Sequence, residues 1–120
     1  MPFNETRPIY QQIADRLADE VMRGVYHEGE RIPSVREYAA LLGVNPNTVV
    51  RAYDYLQIRD IIFNKRGLGY FVADGAVDAI ARMSLATFRD EELPRIVERI
   101  SALGISPQQL LDMIKNYSHS

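Results

Sequence analysis

The chain of 120 residues has no cysteine, only two histidines and no apolar run near the ~20 residues needed to span a bilayer. Without cysteine it can form neither a disulfide nor a thiolate metal site. The N-terminus lacks both the basic segment and the apolar core of a signal peptide, so we expect a cytoplasmic protein with no membrane partner.

The histidine and glycine patterns give no sign of catalysis. His27 stands beside Glu28 and Glu30, which we interpret as a solvated loop, and His119 stands near the end of the chain. Neither histidine belongs to a metal or nucleophile pattern, and no phosphate-cradling glycine motif is present. We therefore predict no enzyme, no catalytic residue, no cofactor and no metal.

The overall charge is slightly acidic, with a formal net charge of −2. A DNA-binding domain is often basic as a whole, so this value counts against DNA binding. Between residues 31 and 73, however, there are six basic and three acidic side chains, a local excess of +3. Because salt screens charges beyond ~8 Å at physiological ionic strength, this segment can act independently of the acidic remainder.

A capped helix is predicted to begin after Ser34. Ser34 precedes Glu37 by three residues, ahead of an apolar run, which is the capping-box pattern. Gly43 can adopt the positive φ that ends a helix. The apolar residues between them repeat at three-four spacing, which predicts a buried face made of Val35, Tyr38, Ala39 and Leu42.

A second helix is predicted from about residue 46 to residue 59. Asn45 can cap it, and Pro46 suits its first position, where no N–H is needed. Its apolar residues fall at i, i+3, i+4 and i+7, so they share one face: Val49, Ala52, Tyr53 and Leu56.

The opposite face of the second helix is polar. Asn47, Arg51 and Asp54 project from it, and Thr48 and Val50 flank it. Asparagine and threonine can bond bases or phosphates, arginine can pair with a phosphate or a guanine edge, and valine can contact a thymine methyl. The same residues would also suit an ordinary solvated face. The capped helix before them and the hairpin after them favour DNA recognition.

The hairpin has β-branched and aromatic residues in two predicted strands, 61–64 and 70–72, with glycines between them. Lys65 and Arg66 lie at its predicted tip, where they could meet a phosphate backbone or enter a minor groove. A charged tip could also serve only to keep a hairpin soluble. Because the hairpin directly follows two helices joined by a tight turn, we interpret it as the wing of a winged helix-turn-helix.

Four stretches carry a resemblance to a known family. They are residues 8–13 (PIYQQI), 29–37 (GERIPSVRE), 42–49 (LGVNPNTV) and 66–72 (RGLGYFV). In this order and spacing they resemble the GntR family of bacterial transcription regulators, and within it the short YtrA-like subfamily.

The resemblance implies a winged helix-turn-helix repressor that binds a palindromic DNA operator as a homodimer. It implies DNA contacts from Arg36 on the capped helix after Ser34, from the start of the recognition helix at Pro46, and from the wing. Ser34 is expected to bind a phosphate. With Arg51 added from its place on the polar face, the expected DNA-binding residues are Ser34, Arg36, Pro46, Asn47, Thr48, Arg51, Lys65, Arg66 and Gly67.

Helices are also predicted on both sides of this motif. The first, at about residues 8–23, repeats Ile9, Ile13, Leu17 and Val21 every four residues and is expected to be scaffold. Beyond residue 75, Pro94 should kink or restart a helix, and Ser106-Pro107-Gln108-Gln109 forms another capping box. We call residues 76–120 the tail. Its first apolar stripe consists of Val77, Ile80, Ala81, Leu85 and Phe88.

The tail is too short to bury its apolar stripes in a hydrophobic core of its own, so another surface must cover them. The same segment of a second subunit is the simplest partner, and among YtrA-like relatives the short tail likewise serves mainly for dimerisation. The alternative is a tail that folds back on the winged domain of a monomer. A chain of this length has no room for a separate sensing domain, and a small-molecule effector stays open.

We thus predict an α+β fold that is mostly α. Residues 1–75 would form the winged helix-turn-helix DNA-binding domain, and residues 76–120 the helical dimerisation region. The alternative function is a winged-helix protein-interaction module without DNA binding, which the acidic total charge would suit. Neither the operator sequence nor the regulated genes follow from the sequence.

Overall fold

Three helices and a hairpin form the part of the chain around the predicted helix-turn-helix. The computed structural model describes residues 7–118. In it, these elements are α1 (Ile9–Met22), α2 (Val35–Leu42), α3 (Pro46–Ile58), β1 (Ile62–Lys65) and β2 (Gly69–Val72).

Further helices follow the hairpin. They are α4 (Ala76–Thr87), a π-helical turn (Phe88–Glu92), α5 (Leu93–Ala102) and α6 (Pro107–Ser118). The chain divides into two compact units between Met83 and Ser84. The division therefore falls within α4, eight residues beyond the predicted boundary after residue 75.

The core of the first unit is made by the apolar faces that the sequence predicts. The α3 face is fully buried, and α1 buries Ile13, Leu17 and Val21. Ile9, the first residue of the predicted α1 stripe, is instead 48% exposed because it lies at the open end of the helix. In α2, Tyr38 and Ala39 are buried, whereas Val35 and Leu42 are half-buried at the margin of the core. The core is completed by Ile32, Ile61, Ile62 and Val72 from the segments beside the helices.

The helix ends confirm the predicted caps. Ser34 Oγ accepts a hydrogen bond of 3.1 Å from the Glu37 N–H, and the Ser34 N–H donates to Glu37 Oε1 at 3.0 Å. Gly43 ends α2 with a φ of +68°. Asn45 Oδ1 then accepts a 2.8 Å hydrogen bond from the Asn47 N–H. These local bonds end α2 and start α3 within three residues, which produces the tight helix-turn-helix.

Three tyrosines join the helices and the hairpin to one another. The rings of Tyr53 and Tyr70 meet edge to face with 4.9 Å between centroids, and the Tyr53 hydroxyl donates a 2.7 Å hydrogen bond to the carbonyl of Pro33. The hydroxyl of Tyr38 donates to Glu20 of α1. Burial is the main cause that raises the pKa of Tyr38 and of Tyr53 well above the usual value, so both remain donors at neutral pH.

The hairpin pairs β1 and β2 antiparallel, with Phe63 opposite Phe71 and Lys65 opposite Gly69. A third extended segment, which the sequence did not indicate, lies along the other edge of β2. The Ile32 N–H donates to the Tyr70 carbonyl, and Arg31 bridges to Phe71. This segment connects α1 to α2, so the wing is joined by backbone hydrogen bonds to the start of the helix-turn-helix.

The first turns of α4 belong to the core of the first unit. Ala76, Ala79 and Ile80 are buried, and Met83 packs against them. Of the predicted stripe in this half of the helix, Ile80 is buried as expected, whereas Val77 and Ala81 are exposed. The alanines lie on the buried face because small side chains let the helix approach the core closely, and a pattern based on large apolar residues misses them.

The carboxylate of Glu28 caps the start of α4. Its Oε1 accepts a 2.8 Å hydrogen bond from the Gly75 N–H, and its Oε2 accepts one of 3.2 Å from the Val77 N–H. These two backbone bonds lower the pKa of Glu28. Sequence reasoning treated the loop around His27 as merely solvated and missed this cap, because Glu28 lies far from α4 along the chain.

The second unit consists of amphipathic helices whose apolar side chains remain exposed. The N–H of Leu93 donates to the carbonyl of Phe88, and this widened turn precedes Pro94 at the start of α5. The predicted restart at Pro94 and the capping box between Ser106 and Gln109 are both confirmed. The exposed apolar side chains of this unit include Leu85, Phe88, Leu93, Ile96, Val97, Leu103, Leu111, Met113 and Ile114.

Within residues 7–118, no helix combines the length and hydropathy that a membrane crossing would require.

The cap at α4 yields a pH-dependent stability prediction. Since the pKa of Glu28 is lowered from 4.5 in the folded chain, its contribution is present above pH 4.5 and is lost as the pH falls through the lowered value. Glu28→Gln should therefore lower the free energy of unfolding at pH 7, and the difference from wild type should shrink below pH 4.5. Urea denaturation across this pH range measures it.

Glu30→Gln is the matched control, because Glu30 lies in the same loop and its carboxylate only approaches His27, at 3.9 Å. Equal losses of stability in the two variants, or a Glu28→Gln difference that persists unchanged at pH 3, would contradict the capping role.

Candidate nucleic-acid interface

The outer face of α3 is open to solvent. Asn47, Arg51 and Asp54 are exposed, Thr48 is half-buried, and Val50 is 40% exposed. The apolar residues on the opposite side of the helix are completely buried. The helix therefore presents its polar face outward, which is the orientation that reading a DNA groove requires.

A cleft of about 390 Å³ lies beside this face. One wall comes from the start of α1, and the other from the first turns of α3. Its lining consists of Pro8, Ile9, Tyr10, Asn45, Asn47, Thr48 and Arg51. Three predicted DNA-binding residues, Asn47, Thr48 and Arg51, are thus brought together in one concave surface.

Arg51 stacks on an aromatic ring in this cleft. Its guanidinium carbon lies 4.2 Å from the centroid of the Tyr10 ring. Tyr10 also packs edge-on against Tyr55, with 5.9 Å between ring centroids. Sequence reasoning placed Tyr10 in the apolar scaffold, and only its position at the very start of α1 could have suggested a role near α3.

The start of α2 presents Ser34 and Arg36. The Ser34 hydroxyl accepts from the Glu37 amide, so its own O–H remains available as a donor. The bond from the Ser34 backbone is also the main reason that the pKa of Glu37 is lowered. Arg36 is exposed in the first turn of α2, two residues after the cap, and its long side chain can reach outward from this end of the helix.

The tip of the wing carries Lys65, Arg66 and Gly67, all exposed. Gly67 has a φ of +79°, which the tight turn requires and which other residues rarely adopt. The ammonium of Lys65 lies 5.9 Å from the Phe71 ring, so the side chain extends along the hairpin. These groups form a basic tip supported by two stacked phenylalanines, Phe63 and Phe71.

Arg31 is a further basic residue at the wing that the predicted site omitted. A Cβ built on Gly69 would lie only 3.1 Å from Arg31 Nε, so the guanidinium rests against the backbone of the hairpin. The bridge between Arg31 and Phe71 explains this position. Sequence reasoning counted Arg31 in the local charge excess but could not place it, because the third extended segment was not foreseen.

The predicted site thus consists of three groups. The cleft unites Asn47, Thr48 and Arg51, and Pro46 is exposed at the first position of the same helix. The groups at the start of α2 and at the tip of the wing lie outside the lining of the cleft. Across the described part of the chain, residues 7–118, no cluster of three or more acidic or histidine side chains is arranged for a metal ion.

Comparison with known proteins identifies the family. The family described as bacterial regulatory proteins of the gntR family matches residues 9–72, from the start of α1 to the end of β2. This match covers more than half of the chain.

The chain belongs to the GntR family.

Relatives of similar length support this membership. The chain is 34% identical over 116 residues to the HTH-type transcriptional regulator YhcF of Bacillus subtilis, covering 97% of the chain and 94% of YhcF. It is 31% identical over 111 residues to the HTH-type transcriptional repressor YtrA of the same organism, covering 92% of the chain and 85% of YtrA.

Solved structures of GntR-family proteins resemble the fold. A regulator from Bacteroides thetaiotaomicron is 44% identical with a TM-score of 0.79, and the match covers 93% of this chain and 97% of that one. YtrA from Sulfolobus acidocaldarius is 28% identical with a TM-score of 0.56, over 99% and 95% of the two chains. The predicted winged helix-turn-helix and YtrA-like resemblance are confirmed. This GntR-family chain is a DNA-binding transcriptional regulator and not an enzyme.

A substitution at Ser34 can keep the helix cap and still change DNA binding, so the effects on folding and on binding can be measured separately. Aspartate caps a helix as well as serine does, so Ser34→Asp should leave the free energy of unfolding nearly unchanged. If Ser34 lies at a DNA phosphate, the new charge should weaken DNA binding by at least roughly tenfold. Fluorescence anisotropy with labelled operator DNA measures this, and thermal unfolding checks the fold.

Ser106→Asp provides the matched control, since it places the same substitution in the same type of capping box in the second unit. It should bind DNA as wild type does. A Ser34→Asp variant with wild-type affinity would remove Ser34 from the DNA-binding residues.

Proposed function

We propose that this GntR-family regulator represses transcription by binding a palindromic operator as a homodimer. One observation carries the DNA-binding mode: α3 buries its apolar face completely and exposes a polar face with Asn47 and Arg51 at a cleft. The repressor role is supported by the similarity to YtrA of Bacillus subtilis, a transcriptional repressor. A protein with such a DNA partner would act in the cytoplasm of a bacterium.

In this mode α3 enters the major groove. Asn47, Thr48 and Arg51 would reach base edges or phosphates, with Pro46 at the leading end of the helix. Ser34 and Arg36, at the start of α2, would hold the adjacent phosphate backbone. Lys65, Arg66 and Gly67 would bring the wing to the minor groove or to its flanking phosphates.

The charges of the chain are compatible with this mode. The excess of +3 between residues 31 and 73 coincides with the segment that carries α2, α3 and the wing. A single subunit would make few phosphate contacts and bind weakly. A dimer doubles these contacts, and its affinity should fall steeply with salt as counterions are released.

The dimer would form through residues 76–120. The support is the apolar surface of the second unit: Val97 is 49% exposed on α5, and Ile114 is 55% exposed on α6. Such surfaces are normally covered by a partner, and a two-fold pair would place two α3 helices on paired half-sites of an operator. Blocking the operator would then exclude polymerase from the promoter.

The DNA contacts can be tested with single arginine substitutions. Arg36→Ala and Arg51→Ala should each weaken operator binding and reduce the slope of log affinity against log salt by roughly one per subunit where a phosphate contact is lost. Where Arg51 instead reads a guanine, discrimination at that base pair should fall by about 1–3 kcal/mol. Anisotropy titrations at several salt concentrations measure both effects.

Arg23→Ala is the control, because Arg23 follows the far end of α1 and pairs with Asp19 at 2.8 Å. It should bind DNA as wild type does. The competing function is a protein-interaction module, which the net charge of −2 favours. A wild-type protein that binds no DNA from a genome-wide pool at low salt would support that module and overturn the operator proposal.

The dimer is tested by charging the apolar stripe of α5. Val97→Glu places a carboxylate in the proposed interface, so it should dissociate the dimer and weaken binding to the full palindrome more than to a half-site. Ala102→Glu, on the opposite side of α5, should leave the dimer intact. Sedimentation equilibrium measures the mass of each variant, and a tight dimer of Val97→Glu would contradict the proposed interface.

A further inference from the structure

Tyr10 stands at the start of α1, outside the predicted DNA-binding residues, yet it lines the cleft with Arg51. The guanidinium carbon of Arg51 lies 4.2 Å from its ring centroid, a distance at which the aromatic face attracts a cation. The contact joins two helices that are distant along the chain. It therefore determines where the Arg51 side chain rests on the outer surface of α3.

Tyr10 is itself held in place from two directions. Its hydroxyl accepts a 3.1 Å hydrogen bond from Gln11 Nε2. Its ring meets Tyr55 of α3 edge-on at 5.9 Å between centroids, and the guanidinium carbon of Arg59 lies 3.4 Å from the centroid of Tyr55. Tyr10 and Tyr55 thus form a pair of contacting rings, with Arg51 over the first ring and Arg59 over the second.

This support leaves the donors of Arg51 free. No hydrogen bond or ion pair to the Arg51 guanidinium is formed within residues 7–118, so the contact with the ring is its main restraint. A guanidinium has five N–H donors in a fixed plane, and contact with an aromatic face uses none of them. Since Arg51 lines the same cleft as Asn47 and Thr48, these donors are available to a group bound in the cleft.

We propose that Tyr10 is a positioning residue for DNA recognition, whose ring holds the Arg51 guanidinium in the orientation that meets the operator. This inference rests on the proposed function, in which Arg51 contacts DNA. A side chain held in place before binding loses less conformational freedom when the complex forms, so the restraint raises affinity without adding a contact.

The test is a double-substitution cycle on the whole 120-residue chain with operator DNA. The variants are Tyr10→Leu, which removes the ring, Tyr10→Phe, which keeps it, Arg51→Ala, and the Tyr10→Leu/Arg51→Ala pair. From the usual strength of an exposed cation–π contact, Tyr10→Leu should weaken binding by roughly two- to fivefold per subunit. Its salt slope should stay that of wild type, since no charge is removed.

Two results distinguish positioning of Arg51 by Tyr10 from a direct DNA contact of Tyr10 and from a general loss of stability. Tyr10→Phe should bind as wild type does, and Tyr10→Leu should have no further effect once Arg51 is alanine. If Tyr10 touched DNA directly, or if its loss merely loosened the fold, the effect would persist in the Arg51→Ala background. Either that persistence or a Tyr10→Phe variant as weak as Tyr10→Leu would overturn the proposal.

The cycle also distinguishes this inference from the proposed function. If Arg51→Ala weakens binding and Tyr10→Leu does not, positioning fails while the DNA contact stands. If Arg51→Ala binds as wild type does, the proposed contact fails and the inference fails with it.

A second measurement needs no operator and no stable Tyr10→Leu variant. In the NMR spectrum of the DNA-free protein, ring current from Tyr10 should shift the side-chain protons of Arg51 upfield of those of exposed arginines such as Arg36. Arg51 protons at ordinary positions in wild type and in Tyr10→Phe would overturn the stacking on which the proposal depends.

Discussion

Burial of one face of α3 is the constraint on which the rest of the interface depends. Val49, Ala52, Tyr53 and Leu56 are completely buried, and each large apolar side chain contributes about 1.5–3 kcal/mol when removed from water. Any rotation of the helix about its axis would expose several of them. The outward direction of Asn47 and Arg51 is therefore decided by contacts on the opposite side of the helix.

The same core also supports the other parts of the interface. The Tyr53 hydroxyl binds the Pro33 carbonyl one residue before the α2 cap, so α3 and the start of α2 are joined directly. The wing is anchored by Ile62 and Val72 in the core and by the Ile32 amide on β2. Because the three segments proposed to contact DNA rest on one packed core, substitutions in the core should disturb them together, whereas surface substitutions should affect one segment at a time.

The helices after the wing differ in how far their apolar side chains are buried. The first turns of α4 are covered by the winged unit, and Glu28 caps their amides. α5 and α6, in contrast, keep exposed apolar stripes within a unit that is too small to bury them. An exposed apolar surface of this kind is stable in water when another chain covers it. In the proposed function a second copy covers it, and the resulting two-fold dimer places two α3 helices on paired half-sites.

Local patterns in the sequence determined the capped helices, their apolar faces, the hairpin and most of the candidate site. Each depends on residues within about one helical turn or on a simple periodicity, so neighbours along the chain suffice to predict them. Only the tertiary structure decided the contacts between distant segments: Tyr10 beneath Arg51, Arg31 against Gly69, Glu28 on α4 and the alanines that pack α4 on the core. These contacts arise when packing brings remote residues together, and no spacing along the chain encodes that.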